Sequence, residues 1–194
     1  MSLKNIILAS ASPRRKELMK RTGFNFTVKP SQVPEMVPPS VPMEKRAAFL
    51  AELKAAATSI YYPKDIIIGA DTTVLLEGEL LGKPKDEKEA AGMLRKLSGK
   101  VHTVITGVSI IYSDQEDAET FSSESKVEFY ELSEKEIEEY VASGEPMDKA
   151  GAYGIQGRGF QLVKRIEGDF FSVMGLPIAE LVRRLKAHEA KEAK

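Results

Sequence analysis

The N-terminal segment IILASASPRRKEL constrains the fold of this chain more than any other stretch. Its apolar run from Ile6 to Ala9 predicts a buried strand. Ser12 followed by Pro13 predicts the N-cap and first position of a helix that ends near Gly23. A strand that leads directly into a helix is typical of α/β proteins. The unpaired N–H groups of the first helical turn then face whatever lies beyond the strand.

Arg14 and Arg15 add two positive charges to this helix N-terminus, close behind Ser10. Guanidinium groups bind phosphate oxygens bidentately, and a helix N-terminus also favours an anion. An Arg-Arg pair is also common on the solvated face of a helix, where it binds no ligand. The segment alone therefore leaves a phosphate site and a plain surface pair both open.

The composition limits the classes of function that need considering. A chain of 194 residues with 42% hydrophobic and 29% charged residues predicts one soluble domain over residues 1–194. A formal net charge of -1 argues against a binder of nucleic acid, and the absence of cysteine excludes disulfides and thiolate chemistry. No apolar run is long enough for a signal peptide or a membrane span, so we expect a cytoplasmic protein with no membrane partner.

Two segments in the first half place charged side chains beside predicted core elements. Residues 43–59 predict a helix whose apolar face includes Lys54, and the proline-rich loop before it contains Glu35. The run IIIGADTTVLLEGELLGKP then predicts a buried strand that breaks at Gly69, with Asp71 at its carboxyl end. A short hairpin is predicted about Glu77 and Gly78.

The second half alternates helices and strands. Asp86 with Glu89, and Ser133 with Glu136, predict capping boxes for two helices, between which two long strands form a hairpin around the polar tip SDQEDAE. A glycine-rich loop, AGAYGIQGRG, precedes the strand FQLVKRIEG, and a last helix starts at Pro177 and frays after about residue 187. The order predicts an α/β fold in which helices flank a mixed, twisted sheet.

Several polar residues fall at predicted strand ends or loops. Asp71 and Glu35 together could hold Mg²⁺ or Mn²⁺, which prefer oxygen ligands, although an aspartate can also bond its own turn and a loop glutamate can be plain surface charge. Lys54 and Lys83 suit a polyphosphate, or else extend along apolar surface to water. Gln156 in the glycine-rich loop offers a donor and an acceptor to a base edge.

Histidine chemistry is not expected. His102 falls in a strand pattern, where a structural histidine is the commoner outcome, and His188 lies in the charged C-terminal segment. The sequence also lacks the G-x-S-x-G motif of serine hydrolases.

With these segments in order, the chain resembles the Maf family of nucleoside triphosphate pyrophosphatases over nearly its whole length. The similarity rests on LASASPRRKEL, IIGADTTV, LLGKP, LSGKVHTVITGV and AGAYGIQGRG followed by GLP. It implies a fold like that of Maf and ITPase proteins, with a cleft between two lobes, and a homodimer. It also implies a catalytic Asp71, a divalent metal held by Asp71 and Glu35, and a triphosphate site made of Ser10, Arg14, Arg15, Lys54 and Lys83.

The GAYGIQG form and the pair Asp71-Thr72 resemble the family branch that acts on dTTP and UTP rather than the branch that acts on 7-methyl-GTP. Arg14, Thr72 and Gln156 match the positions linked to that choice. The resemblance implies attack of a metal-activated water on the α-phosphorus, which releases pyrophosphate and leaves the monophosphate. It also implies removal of unwanted nucleotides, modified pyrimidines among the candidates, and a role in cell-division arrest.

Three other functions remain open at this point. A nucleotide sensor that restrains cell division would bind without turnover and would tolerate loss of Asp71. A binder of nucleic acid would show tight, salt-sensitive binding to duplex DNA. A hydrolase for damaged purine nucleotides is compatible with Gln156, because an amide can face more than one base.

Overall fold

The computed structural model describes residues 5–112 and 117–192. In this part of the chain, seven strands form one mixed sheet. The strands are β1 Ile6–Leu8, β2 Phe26–Val28, β3 Ile66–Leu76, β4 Glu79–Leu81, β5 Val101–Ile111, β6 Ala118–Phe129 and β7 Val163–Glu167. Their order in the sheet is β2-β1-β3-β5-β6-β7, and β4 pairs with β3. Pairing is parallel between β1 and its neighbours β2 and β3, and antiparallel for β3 with β4 and for β6 with β7.

Within residues 5–112 and 117–192, six α-helices accompany the sheet, and three of them begin at the caps predicted from the sequence, Ser12, Asp86 and Ser133. Ser12 Oγ accepts a hydrogen bond from the Arg15 N–H, and Ser133 with Glu136 forms a complete capping box. At Asp86 the cap is only half as predicted, because Glu89 reaches back to the N–H of Lys85. The helices are α1 Pro13–Arg21, α2 Arg46–Ser59, α3 Glu87–Leu97, α4 Glu134–Val141, α5 Phe170–Met174 and α6 Ile178–Glu192.

The chain divides into two compact units. Unit 1 contains Met1–Asp71, Thr106–Ser123 and Gly175–Lys194, and unit 2 contains Thr72–Ile105 and Glu124–Met174. The long strands β3, β5 and β6 each contribute residues to both units. The single domain and the cleft inferred from the family resemblance stay predictions.

The prediction that β3 breaks at Gly69 is wrong. The strand runs unbroken from Ile66 to Leu76, so Asp71 lies inside it rather than at its end. Gly69 is instead a point of close approach, because a Cβ there would lie 2.2 Å from the Ala51 carbonyl oxygen of α2.

Gly107 of β5 is a second point of close approach in unit 1, since a Cβ there would lie 2.3 Å from the backbone nitrogen of Ala48. Two glycines on neighbouring strands therefore let the backbone of α2 rest directly on the sheet. The buried face of α2 includes Ala47, Ala51 and Lys54, as its spacing predicts. The contact of the α2 backbone with Gly69 and Gly107 thus fixes where α2 lies, and with it the position of the Lys54 side chain.

In unit 2 the predicted turn between β3 and β4 is confirmed. Glu77 and Gly78 both have positive φ values, 50° and 82°, and they connect the paired residues Leu76 and Glu79. These values match the two-residue turn that suits the twist of a hairpin. The core beneath it gathers large apolar side chains that include Leu94, Leu97, Val127 and Phe129.

The C-terminal third differs from expectation in three places. The residues Gly157–Leu162 form a 3₁₀ turn, so β7 begins only at Val163. The short helix α5 was not predicted, and α6 keeps its helical backbone to Glu192, beyond the position at which fraying was expected. The tip of the predicted β5–β6 hairpin, residues 113–116, lies outside the described residues. The predicted α/β class, a mixed sheet with flanking helices, is confirmed.

Candidate functional site

The start of α1 and the residues before it form the first part of the candidate site in unit 1. Ser10 is buried, and its Oγ accepts hydrogen bonds from the Ser12 N–H and from Nη1 of Arg15, each at 3.3 Å. Arg15 Nε donates to the carbonyl oxygen of Gly175 at 2.8 Å. These bonds fix the direction of a guanidinium group at a helix N-terminus, where an anion is favoured.

Lys54 joins the two predicted carboxylates. Its Nζ lies 2.6 Å from Asp71 Oδ1 and 2.8 Å from Glu35 Oε1. The side chains of Lys54 and Asp71 are only 11% and 13% exposed, whereas that of Glu35 is 56% exposed. An ammonium group has three donors, so these two bonds leave one N–H for a further acceptor such as a phosphate oxygen.

The electrostatics of Arg15 show that the same groups share one neighbourhood. Burial lowers the pKa of the Arg15 guanidinium, and the positive charge of Arg14 lowers it further, while the carboxylates of Asp71 and Glu35 oppose both effects. Unit 1 thus brings together five charged groups of the predicted site, with Ser10 beside them. Such a mixture of cations and carboxylates suits a polyphosphate that arrives with a divalent cation.

Glu35 and Asp71 are also candidate ligands of a divalent cation. Glu35 and Asp71 both bind one Nζ, so their oxygens lie within roughly 5 Å of each other, close enough to share a cation. Among residues 5–112 and 117–192, no three His, Cys, Asp or Glu side chains gather into a metal site. Two carboxylates are oxygen donors of the kind that Mg²⁺ or Mn²⁺ accepts when substrate oxygens complete its coordination, so Glu35 and Asp71 fit such an ion.

The remaining predicted residues belong to unit 2. Thr72 follows Asp71 directly in β3, and Lys83 is an exposed residue just past β4. Gln156 is also exposed, at the N-cap of the turn Gly157–Leu162. Their predicted contacts with a triphosphate or a base stay predictions.

The backbone around Gln156 is held from both sides within unit 2. The Gly154 N–H donates to the hydroxyl of Tyr140 at 3.1 Å, and the Arg158 N–H donates to the carboxylate of Glu145 at 2.8 Å. Sequence reasoning missed Tyr140 and Glu145. The four glycines of the loop were the available signal, because a segment so rich in glycine needs external bonds to hold one conformation.

His102 is a structural residue of unit 2. Its ring is buried, with edge contacts to Phe129 and Tyr153, and Nε2 lies 2.8 Å from the Tyr153 hydroxyl. Nδ1 has no hydrogen-bond partner among the described residues. Burial lowers the pKa of His102 to about 4. The ring is neutral at physiological pH and supports the loop through Tyr153. The other histidine, His188, stacks on Tyr112 within unit 1.

The role of Gly175 was also not predicted from the sequence. Its carbonyl oxygen accepts a hydrogen bond from Arg15 and orients that side chain from a distant point of the chain. A backbone acceptor leaves no mark in residue type, so only the fold could reveal it. No helix in the described part of the chain has the length and apolar character needed to span a membrane.

The family model described as Maf-like protein matches residues 5–188. A dTTP/UTP pyrophosphatase of Geobacillus sp. (strain WCH70) is 48% identical over 95% of this chain and 98% of its own length. A dTTP/UTP pyrophosphatase of Bacillus velezensis is 50% identical over 97% of this chain and 98% of its own length. Among solved structures, the Staphylococcus aureus Ham1 protein aligns with 65% of this chain and 72% of its own, at a TM-score of 0.47 and 19% identity.

Proposed function

Since this chain belongs to the Maf family, we propose that it is a nucleoside triphosphate pyrophosphatase that converts dTTP and UTP to their monophosphates and pyrophosphate. Relatives named dTTP/UTP pyrophosphatase, about half identical over nearly the whole chain, support this substrate class. The observation that carries the proposal is the cluster in which Lys54 binds both Asp71 and Glu35, with the Arg15 guanidinium in the same electrostatic neighbourhood.

The cations and the polar residue Ser10 of unit 1 have different proposed roles. Arg14, Arg15 and Lys54 bind oxygens of the triphosphate and stabilise the negative charge that develops on the departing pyrophosphate. Ser10 holds the guanidinium of Arg15 in position. Lys83 of unit 2 is proposed as a further ligand of the triphosphate.

Asp71 and Glu35 would hold the divalent cation, which when bound neutralises phosphate charge and lowers the pKa of a coordinated water. Water attacks the α-phosphorus, the bond from that phosphorus to the bridging oxygen breaks, and pyrophosphate leaves with the electron pair. Asp71 accepts the proton that the attacking water loses. Its carboxylate keeps one oxygen on Lys54 and has a second oxygen for that proton.

Selection of the base is proposed for Arg14, Thr72 and Gln156. An amide side chain matches the N3–H donor and O4 acceptor of uracil and thymine. Modified pyrimidine nucleotides with the same edge are candidate substrates. Arrest of cell division, a cytoplasmic location and a homodimer are hypotheses that rest on the family resemblance.

The test is a product assay with Mg²⁺ or Mn²⁺ across dTTP, UTP, CTP, the purine triphosphates and 7-methyl-GTP, which distinguishes pyrophosphate from orthophosphate. We expect pyrophosphate from dTTP and UTP. Asp71→Asn should lower turnover by at least ~10²-fold, as expected for loss of a general base. Asp65→Asn, on the segment before β3, is the matched control. Nucleotide binding without turnover, unchanged in Asp71→Asn, would instead favour a sensor.

A further inference from the structure

The loop that carries Gln156 is so rich in glycine that its own residues restrict its backbone conformation only weakly. Glycine occupies four positions, Gly151, Gly154, Gly157 and Gly159, and two of them have left-handed φ values of 70° and 65°. Glycine has more backbone conformations to lose than any other residue. A segment of this composition takes one shape only if neighbouring groups impose it.

Two side chains from one stretch of unit 2 impose that shape on the residues next to Gln156. The Gly154 N–H, two residues before, donates to the Tyr140 hydroxyl at 3.1 Å. The Arg158 N–H, two residues after, donates to both carboxylate oxygens of Glu145, at 2.8 and 3.1 Å. The Gly154 N–H lies outside regular secondary structure, and the Arg158 N–H lies in the first turn of the 3₁₀ segment Gly157–Leu162, where a backbone N–H has no partner within the helix.

The packing around these bonds is tight. A Cβ on Gly157 would lie 2.5 Å from Glu145 Oε1, and one on Gly159 would lie 2.7 Å from the Tyr140 hydroxyl oxygen and 2.0 Å from the Gly154 carbonyl oxygen. The anchoring atoms therefore touch the glycine backbone directly. Movement of Tyr140 or Glu145 would move the loop with it.

From this geometry we infer that Tyr140 and Glu145 are positioning residues for base selection, which hold the backbone of Gln156 so that its amide reaches the edge of a pyrimidine base and not the more distant edge of a purine. The inference rests on the proposed function. Uracil and guanine both present an N–H donor beside a carbonyl acceptor, so one glutamine amide can pair with either edge. The larger purine places this edge farther from the sugar, so an amide held at one position pairs fully with one of the two bases and leaves polar groups of the other unpaired.

The experiment compares UTP with GTP, which share ribose and triphosphate and differ in the base. Tyr140→Phe keeps the buried ring and removes the hydroxyl, and Glu145→Gln keeps the shape and removes the charge. Each should lower the ratio of kcat/KM for UTP to that for GTP, and the double variant should lower it by about tenfold, mainly through KM for UTP. Glu139→Gln is the control, because Glu139 is exposed on α4 and its ion pair is with Lys135 rather than with the loop.

A second readout does not depend on activity. Amide hydrogen exchange of the segment 153–158 should become faster in both variants and stay unchanged in Glu139→Gln. If the wild type hydrolyses UTP, and both variants keep its base ratio or its exchange rates, the inference is overturned while the proposed function stands. If the wild type hydrolyses neither dTTP nor UTP, the proposed function fails, and base selection by this loop fails with it. Should Tyr140→Phe not fold, Glu145→Gln alone decides, since Glu145 is only partly buried.

Discussion

Replacement of Lys54 by methionine, alone and together with Asp71→Asn, measures how strongly the candidate site depends on its internal cation. Methionine keeps the buried stem of the lysine on α2 and removes only the ammonium group. In the single variant, the Asp71 carboxylate stays almost buried beside Glu35 with its nearest positive charge gone. Two carboxylates roughly 5 Å apart repel each other by about 3 kcal/mol at an effective dielectric constant near 20.

The expected loss in the free energy of unfolding depends on how exposed the charged side chains are. Removing one partner of a buried ion pair typically costs about 3–5 kcal/mol, whereas exposed pairs contribute about 0–1 kcal/mol. Lys54 and Asp71 are close to the first class, and Glu35, at 56% exposure, is close to the second. Arg15 compensates part of the charge left on Asp71. We therefore expect Lys54→Met to lower the free energy of unfolding by about 3 kcal/mol.

The decisive quantity is the coupling between the two substitutions. Once Asp71→Asn has removed the charge that Lys54 neutralises, the loss of Lys54 should matter less, by about 2 kcal/mol. Urea unfolding of the four proteins at pH 8, followed by circular dichroism, gives this number. Glu35→Gln is the matched control and should cost less than about 1 kcal/mol. A coupling below about 0.5 kcal/mol would show that the pair contributes nothing in solution and would refute the reasoning.

Three further perturbations test other parts of the structure. The pKa of His102 is about 4 in the folded protein and near 6.5 in the unfolded chain, so the unfolded chain binds more protons between these two pH values. The free energy of unfolding should therefore fall by about 3 kcal/mol as the pH drops from 6.5 to 4. Urea unfolding of His102→Gln should show a smaller drop over the same pH range. Gly69→Ala should abolish folding or lower Tm by more than about 10 °C, because its Cβ meets backbone atoms of α2; a shift under 3 °C in a thermal melt would contradict this contact. Ser133→Ala removes the N-cap of α4 and should cost about 1 kcal/mol by urea unfolding, whereas no change would show that Glu136 alone suffices.

Local signals predicted much of the fold because their causes are local. A serine before a proline caps α1, Glu77 and Gly78 form the hairpin turn, and the spacing on α2 places Lys54 on the buried face. Each of these outcomes depends on residues within a few positions of each other. The bonds between Lys54, Asp71 and Glu35 also agree with the residues chosen from the sequence, although the chemistry assigned to them stays a prediction.

What the sequence could not predict depends on distant partners. A glycine in an apolar run is compatible with a break or with a close contact, and only the presence of α2 above Gly69 decides between them. The orientation of Arg15 depends on a carbonyl oxygen of Gly175 far along the chain. Near Gln156, the Gly154 N–H donates to Tyr140 and the Arg158 N–H donates to Glu145, and no periodicity in the loop indicates these partners.

The contact of α2 with Gly69 and Gly107 also affects how mutational data on this protein should be interpreted. A scan scored by activity would rank both glycines beside Asp71, although neither offers a side chain to any ligand. A parallel scan scored by protein abundance should separate them, because a Cβ at either glycine would meet backbone atoms of α2, whereas Asp71→Asn adds no bulk to the space between helix and sheet. Intolerance at positions 69 and 107 therefore reports the thickness of the space between helix and sheet, whereas intolerance at 71 that is confined to activity would support the proposed chemistry.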